Sequence, residues 1–121
     1  MFARGVSIRL KPNGVAEFNG ALENEILPLL RKQKGFQDEL VLVSSNGTEA
    51  LGISLWDQKD NADAYHRTTY SEVLKLLSKV IEGTLHVQTY RVCTSTVHKA
   101  GTRRGRDWPP LKRNQVALGW Y

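Results

Sequence analysis

Three histidines, His66, His86 and His98, are the side chains of this 121-residue sequence best suited to move protons near neutral pH. His66 follows Tyr65 directly. On a helix, adjacent side chains point about 100° apart, so one of the two can face a cavity while the other faces elsewhere. Turned inward, His66 is a general base; turned outward, it is a surface or helix-end histidine. Trp56 carries a large apolar ring and a single N–H donor, and the alternative to a binding role is a core anchor. Tyr90 and Arg91 alternate across one strand, and Arg91 can hold an anion or pair with a carboxylate at a subunit seam. No HxxxH, HExxH or His/Cys cluster is present, so no metal site is expected. No GxxxxGK[ST] and no strand-borne GxGxxG supports a nucleotide cofactor.

These side chains need a scaffold, and 121 residues suffice for one hydrophobic core. The net charge of +5 is unevenly placed. Residues 1–98 hold 11 Lys/Arg and 11 Asp/Glu, whereas residues 99–121 hold six basic residues against Asp107 alone. Nucleic-acid binding by the body of the chain is therefore not expected, because its charge footprint is missing. The segment 99–121 is expected to be a basic extension outside the domain of residues 1–98, able to meet a polyanion only non-specifically. Cys93 is the only cysteine, so no intramolecular disulfide can form and a reducing, cytoplasmic setting fits. No apolar run reaches the length that spans a bilayer, and a soluble, unprocessed protein is expected.

Periodicity predicts the elements. Phe2, Val6, Ile8 and Leu10 alternate with Ala3, Gly5, Ser7 and Arg9, which makes a strand whose apolar side only Arg4 interrupts. Asn13 can cap a helix carrying Val15, Phe18, Leu22, Ile26 and Leu29 on one face, with Pro28 kinking its last turn and Gly35 closing it. Two strands around Asn46-Gly47 form a hairpin. A second helix begins at Asp60, with Asp63 completing a weak capping box, and breaks near Thr68-Thr69 where two β-branched residues adjoin. Gly83 stops it, and a long strand from about Thr84 to His98 follows. Strand, helix, strand, strand, helix, strand is the ferredoxin-like α+β arrangement, a four-stranded antiparallel sheet with both helices on one face. The other face also carries apolar residues, and a second copy is its simplest cover.

The segments LWDQKDNADAYHR (55–67), SEVLKLLSKVIEG (71–83) and LHVQTYRV (85–92) resemble the antibiotic biosynthesis monooxygenases, a family of dimeric α+β barrels. PLLRKQKGFQDEL (28–40) is similar to that family's Pro-Gly-Phe turn, with Lys34 in the proline's place. The resemblance implies a homodimer and, in one branch, oxygenation of an aromatic phenol without metal or flavin. An aromatic substrate is then expected between helices and sheet, bound by Trp56 as a wall, by Tyr90 and by Arg91 holding a phenolate, with His66 as base and Tyr65 beside it as the catalytic residues. The small residues Ala3, Gly5 and Ser7, and Ala50, Gly52 and Ser54, are expected to leave room in the layer they face, or to permit close sheet packing. A haem-degrading branch resembles the chain in topology but uses an Asn on the first strand, a Trp within the second helix and a His about three turns later. Residues 2–10 have no Asn, Tyr65 stands in the place of that Trp, and no His lies near Lys75. A non-catalytic dimeric domain for small-ligand binding is the other reading.

Overall fold

The computed structural model describes residues 1–96. His98 and the basic segment 99–121 lie outside the described residues. Four strands, β1 (Phe2–Leu10), β2 (Phe36–Val43), β3 (Glu49–Trp56) and β4 (Ile81–Arg91), form one sheet in the order β2-β3-β1-β4. Every pairing is antiparallel, with β1 central between β3 and β4. Helical segments α1 (Val15–Ala21), α2 (Leu27–Arg31), α3 (Lys59–Thr68) and α4 (Tyr70–Leu77) fill the two crossovers. This is the ferredoxin-like α+β fold.

Strand β1 forms because its period of two gives each face one kind of residue. Ile8 and Leu10 enter the core with Phe18, Leu22, Ile26 and Leu30 of the first helical stretch and Tyr65, Tyr70, Val73 and Leu77 of the second. Burying these side chains drives the sheet and helices together, at about 1.5–3 kcal/mol for each large one. Leu40 and Leu42 point away from this core and remain 57% and 49% exposed.

Several local features differ from the sequence reading. Between α1 and α2 the backbone opens into a π-helical turn, Leu22–Ile26, instead of kinking at the helix end. Pro28 cannot donate to a carbonyl one turn back, and the wider turn ahead of it accommodates the lost bond. Asn13 does not cap α1; it adopts a left-handed backbone (φ 57), and Gly14 holds the cap position with no side-chain bond. The second helix begins at Lys59, where Asp63 accepts an ion pair from Lys59 at 2.8 Å instead of closing a capping box. It breaks at Thr69 as the two β-branched residues suggest. Gly83 is not its stop. The helix ends at Leu77, and Gly83 (φ 71) lies inside β4, opposite a register shift between Ser7 and Arg9. Strand β4 ends at Arg91, short of the long strand expected.

Gly35 is not the cap of the first helical stretch, which ends at Arg31 with Lys32 as its C-cap; it shapes the turn that leads into β2, and two observations require a glycine there. Its φ of +82 is left-handed, and a Cβ there would strike Asp57 Oδ1 and Asn61 of the next crossover. Asn61 donates from Nδ2 to Asp57 Oδ1 at 2.8 Å across the same spot.

Candidate functional site

The site grows from Arg4, the residue that interrupts the apolar side of β1. Alternation turns Arg4 toward the helices together with Phe2, Val6 and Ile8, and it is only 3% exposed. A buried guanidinium is costly unless its donors and charge are met. Arg4 Nη2 donates to His66 Nδ1 at 2.9 Å. The guanidinium carbon lies 5.1 Å from the ring centre of Tyr65 and 4.5 Å from that of Tyr70, so two aromatic faces take part of the charge. His66 stacks on Tyr70 at 5.2 Å. No ion pair joins Arg4 to a carboxylate among the described residues.

The carboxyl nearest in function is Glu39 on β2. Strand β2 carries a bulge between Phe36 and Asp38, which lets Phe36 and Glu39, three residues apart, face the same layer. Phe36 meets Trp56 edge-on at 5.6 Å, while Glu39 points into a cavity. Gly52, on β3, leaves the space its carboxyl fills: a Cβ on Gly52 would lie 3.1 Å from Glu39 Oε2. Burial pushes the Glu39 carboxyl up to about 7, and the charge of Arg4 opposes that rise. Burial likewise raises the phenols of Tyr65 and Tyr70, again against the pull of Arg4. The guanidinium lies over the Tyr70 ring, close enough to pull its phenol down, yet Tyr70 Oη is buried without a hydrogen bond of good geometry among the described residues.

These groups line a cavity of about 50 Å³ between helices and sheet, with Arg4, Glu39, Ser54, Tyr65 and Tyr70 as its polar wall and Phe18, Leu22, Ile26 and Val73 among its apolar lining. A larger concavity of about 610 Å³ lies elsewhere, along Ser7, Arg9, Leu42, Glu49, Leu51 and His86 at one end of the sheet's uncovered face. That hollow is broad and open to solvent. The small cavity is where buried polar groups converge, which is the stronger mark of a binding site.

The structure separates the residues the sequence grouped. Tyr65 and His66 do share the site, one buried on the cavity wall and one exposed at its rim. His66, however, already accepts a bond from Arg4 through Nδ1. Trp56 is fully buried, its Nε1–H donating to Ser54 Oγ at 2.9 Å and its ring lying 5.1 Å from that of Tyr65. It backs Tyr65 without reaching the cavity, because its donor is spent inside the core. Tyr90 sits on the opposite face, half exposed, where a Cβ on Gly5 would lie 3.4 Å from its ring, since it pairs with Ala3 and alternation turns both away from the helices. Arg91 is exposed at the end of β4 beside Phe2. The small residues also divide: Gly52 and Ser54 line the cavity, but Gly5 pairs with Ile53 on the other face. Arg4, Glu39 and Tyr70 went unread. The one signal for Arg4 was a charge within an apolar stripe, where a buried polar group carries more information than another leucine.

No protein-family model matches the sequence, and no curated protein matches it significantly. Solved structures do match. SnoaB of Streptomyces nogalater, a cofactor-independent oxygenase, superposes with a TM-score of 0.67 at 12% identity over 79% of this chain and 96% of its own. A monooxygenase of Streptomyces coelicolor from the gene ActVA-Orf6, solved with Nanaomycin D, does so with a TM-score of 0.64 at 16% identity, over 79% and 90%. A conserved protein of Methanosarcina mazei reaches 24% identity with a TM-score of 0.61, over 75% and 92%. Other matches carry the name of the antibiotic biosynthesis monooxygenases. At these identities the likeness establishes the fold: the chain has the architecture of that family.

Proposed function

We propose that the chain is a cofactor-independent monooxygenase that oxidises a small phenolic, quinone-forming aromatic in the cavity between helices and sheet. The observation that supports this reading is Arg4, a buried cation with no ion-paired carboxylate among the described residues, facing a cavity whose wall is part polar and part apolar. A phenolate would offset the cost of that charge, and the fixed guanidinium would stabilise the anion without reorganising. The ionised aromatic supplies the electrons. It adds oxygen at carbon to give a peroxide, which loses water to leave a carbonyl, so that substrate plus O2 gives quinone plus water. Tyr70 Oη, buried at the cavity wall, is the donor for an oxygen atom of the bound species. The apolar lining keeps bulk water from the carbanion.

The fold neighbours named as oxygenases support the reaction class. The same reading includes a homodimer formed by the uncovered sheet face, where Leu40 and Leu42 stand exposed. A panel of dihydroxynaphthalene and anthrone-type compounds, followed by oxygen uptake, tests the activity. Uptake no faster than the uncatalysed rate across the panel would reject it.

The cavity size favours a second reading. About 50 Å³ is well short of the roughly 150 Å³ in which a single benzene ring is known to be held. Oxidation requires the walls to part, and the π-helical turn, whose Leu22 and Ile26 line the cavity, is the segment that would move. Without that motion the chain is a dimerising domain whose cavity is filled by its own side chains. Saturable binding of an aromatic compound separates the two before any turnover is measured.

A further inference from the structure

We infer that Glu39 is the proton acceptor of this cavity, taking the hydroxyl proton of a phenolic ligand whose oxygen Arg4 then holds. The inference deepens the oxygenase reading and rests on its site. Two backbone features with no other evident purpose seat the Glu39 carboxyl. The bulge after Phe36 keeps Phe36 against Trp56 while still turning Glu39 inward. Gly52 then omits the side chain that would crowd Glu39 Oε2. The carboxyl makes no hydrogen bond or ion pair among the described residues, so its oxygens are open to a ligand.

Charge counting favours the transfer. Before it, the cavity holds carboxylate and guanidinium; after it, neutral carboxyl, phenolate and guanidinium. The substrate O–H bond breaks, its proton joins a Glu39 oxygen, and the electron pair stays on the substrate oxygen facing Arg4. No net charge is buried by the step. The proton returns when the peroxide expels water. The titratable and charged groups around Glu39 are Arg4 from β1, Tyr65 from α3 and Tyr70 from α4, with His66 behind Arg4. Both phenols stay protonated, because burial raises them. An acid near 7 is well matched to a base working at neutral pH. His66 is a poorer acceptor, since protonating Nδ1 would break its bond to Arg4.

The test needs no turnover. 2-Naphthol is neutral in solution near pH 8, and its ionised form absorbs at longer wavelength. Anaerobic titration of the full chain should produce the naphtholate band in the wild type, lose it in Glu39→Gln, and recover part of it in Glu39→Asp. Gly52→Ala, which crowds Oε2, should weaken the band but leave Glu39→Gln unaffected. With an oxidisable substrate, Glu39→Gln should lower kcat by about 10²–10⁴-fold, the scale of general-base catalysis. A band undiminished in Glu39→Gln, or naphthol bound by the wild type without a band, overturns the role of Glu39 and leaves the oxygenase reading standing. A wild type that neither binds naphthol nor takes up oxygen overturns both.

Discussion

Arg4 and His66 meet through a bond in which the guanidinium donates from Nη2 to Nδ1 of the imidazole at 2.9 Å. Arginine can only donate, so Nδ1 must carry the lone pair and the ring proton sits on Nε2. His66 therefore positions Arg4 over the cavity. His66→Ala is expected to raise KM for a phenolic substrate about tenfold, the scale of one hydrogen bond to a charged group. The acidic limb of the pH–rate profile should not move. Steady-state oxygen uptake across the neutral range measures both, and disappearance of that limb would make His66 the base.

Removing the buried cation should separate stability from function. Arg4→Met replaces a charge lacking a carboxylate partner with an apolar chain of similar length. Removing the guanidinium recovers its desolvation cost and gives up one hydrogen bond and two ring contacts, and Glu39, already pushed up by burial, can stay protonated when Arg4 is gone. The urea midpoint should hold or rise while oxygen uptake falls at least about 100-fold, as expected when a preorganised anion-stabilising group is lost. A collapse of the midpoint would mean that Arg4 is structural glue between β1 and the tyrosines.

Glu39 gives stability a pH dependence of definite sign. Its carboxyl titrates near 7 when folded, against 4.5 as the ordinary value for a glutamate. Between these values the folded state holds a proton that the unfolded chain has released. Stability therefore falls as pH rises from about 4.5 to about 7 and levels off above it, a loss on the order of 3 kcal/mol from this group. Urea denaturation at pH 5 and pH 8 measures the loss. Glu39→Gln should flatten it and be the more stable protein at pH 8, a cost the native residue carries for function. Equal slopes in the two proteins would remove Glu39 as its source.

The order of elements was legible because period-two and helical spacings differ, and because Gly35, Asn46-Gly47 and Thr68-Thr69 each mark a break by a local steric rule. The site was less so. Glu39 shares a side of β2 with Val41 and Val43, but Leu40 and Leu42 make the other side equally apolar, so the pattern alone does not say which side meets the helices. The family resemblance puts Tyr90 beside Trp56, whereas the sheet sets them on opposite faces. Their faces follow from register, Tyr90 with Ala3 and Trp56 with Phe2, and register is a property of paired strands. The π-helical turn depends on how Pro28 is accommodated against the sheet, which no local spacing encodes.

Gly35 joins the end of α2 to the start of α3 through contact as well as conformation. Gly35→Ala would place a methyl in a left-handed backbone and drive it into Asp57 Oδ1 and Asn61, whose Cβ lies 2.7 Å from the added atom. The backbone penalty alone is about 1 kcal/mol, and the clash with two hydrogen-bonded side chains should bring the total to about 2–4 kcal/mol. Thermal or urea unfolding gives the value. A loss below 1 kcal/mol would show that the turn relaxes freely and is not what fixes α3 against the first crossover.

The uncovered sheet face decides whether the chain works alone. Leu40 and Leu42 on β2 project from it, Tyr90 covers Gly5 on it, and Glu49 and Glu82 flank Arg9 toward one end. A stable dimer generally buries about 1,200–2,000 Å² in total, an area that a four-stranded sheet packed face to face can supply. Placing a charge on that surface at Leu42 leaves the monomer's core untouched, because Leu42 already lies half in solvent. Leu42→Glu adds a third carboxylate to the hollow bounded by Glu49 and Glu82, and in a twofold pair the like charges recur on both partners. Sedimentation should find the wild type as a dimer at micromolar concentration and Leu42→Glu as a monomer with an unchanged circular dichroism spectrum. A wild type that sediments as a single subunit even when concentrated would reject the twofold pairing, while the helix-side cavity, built entirely within one chain, would remain.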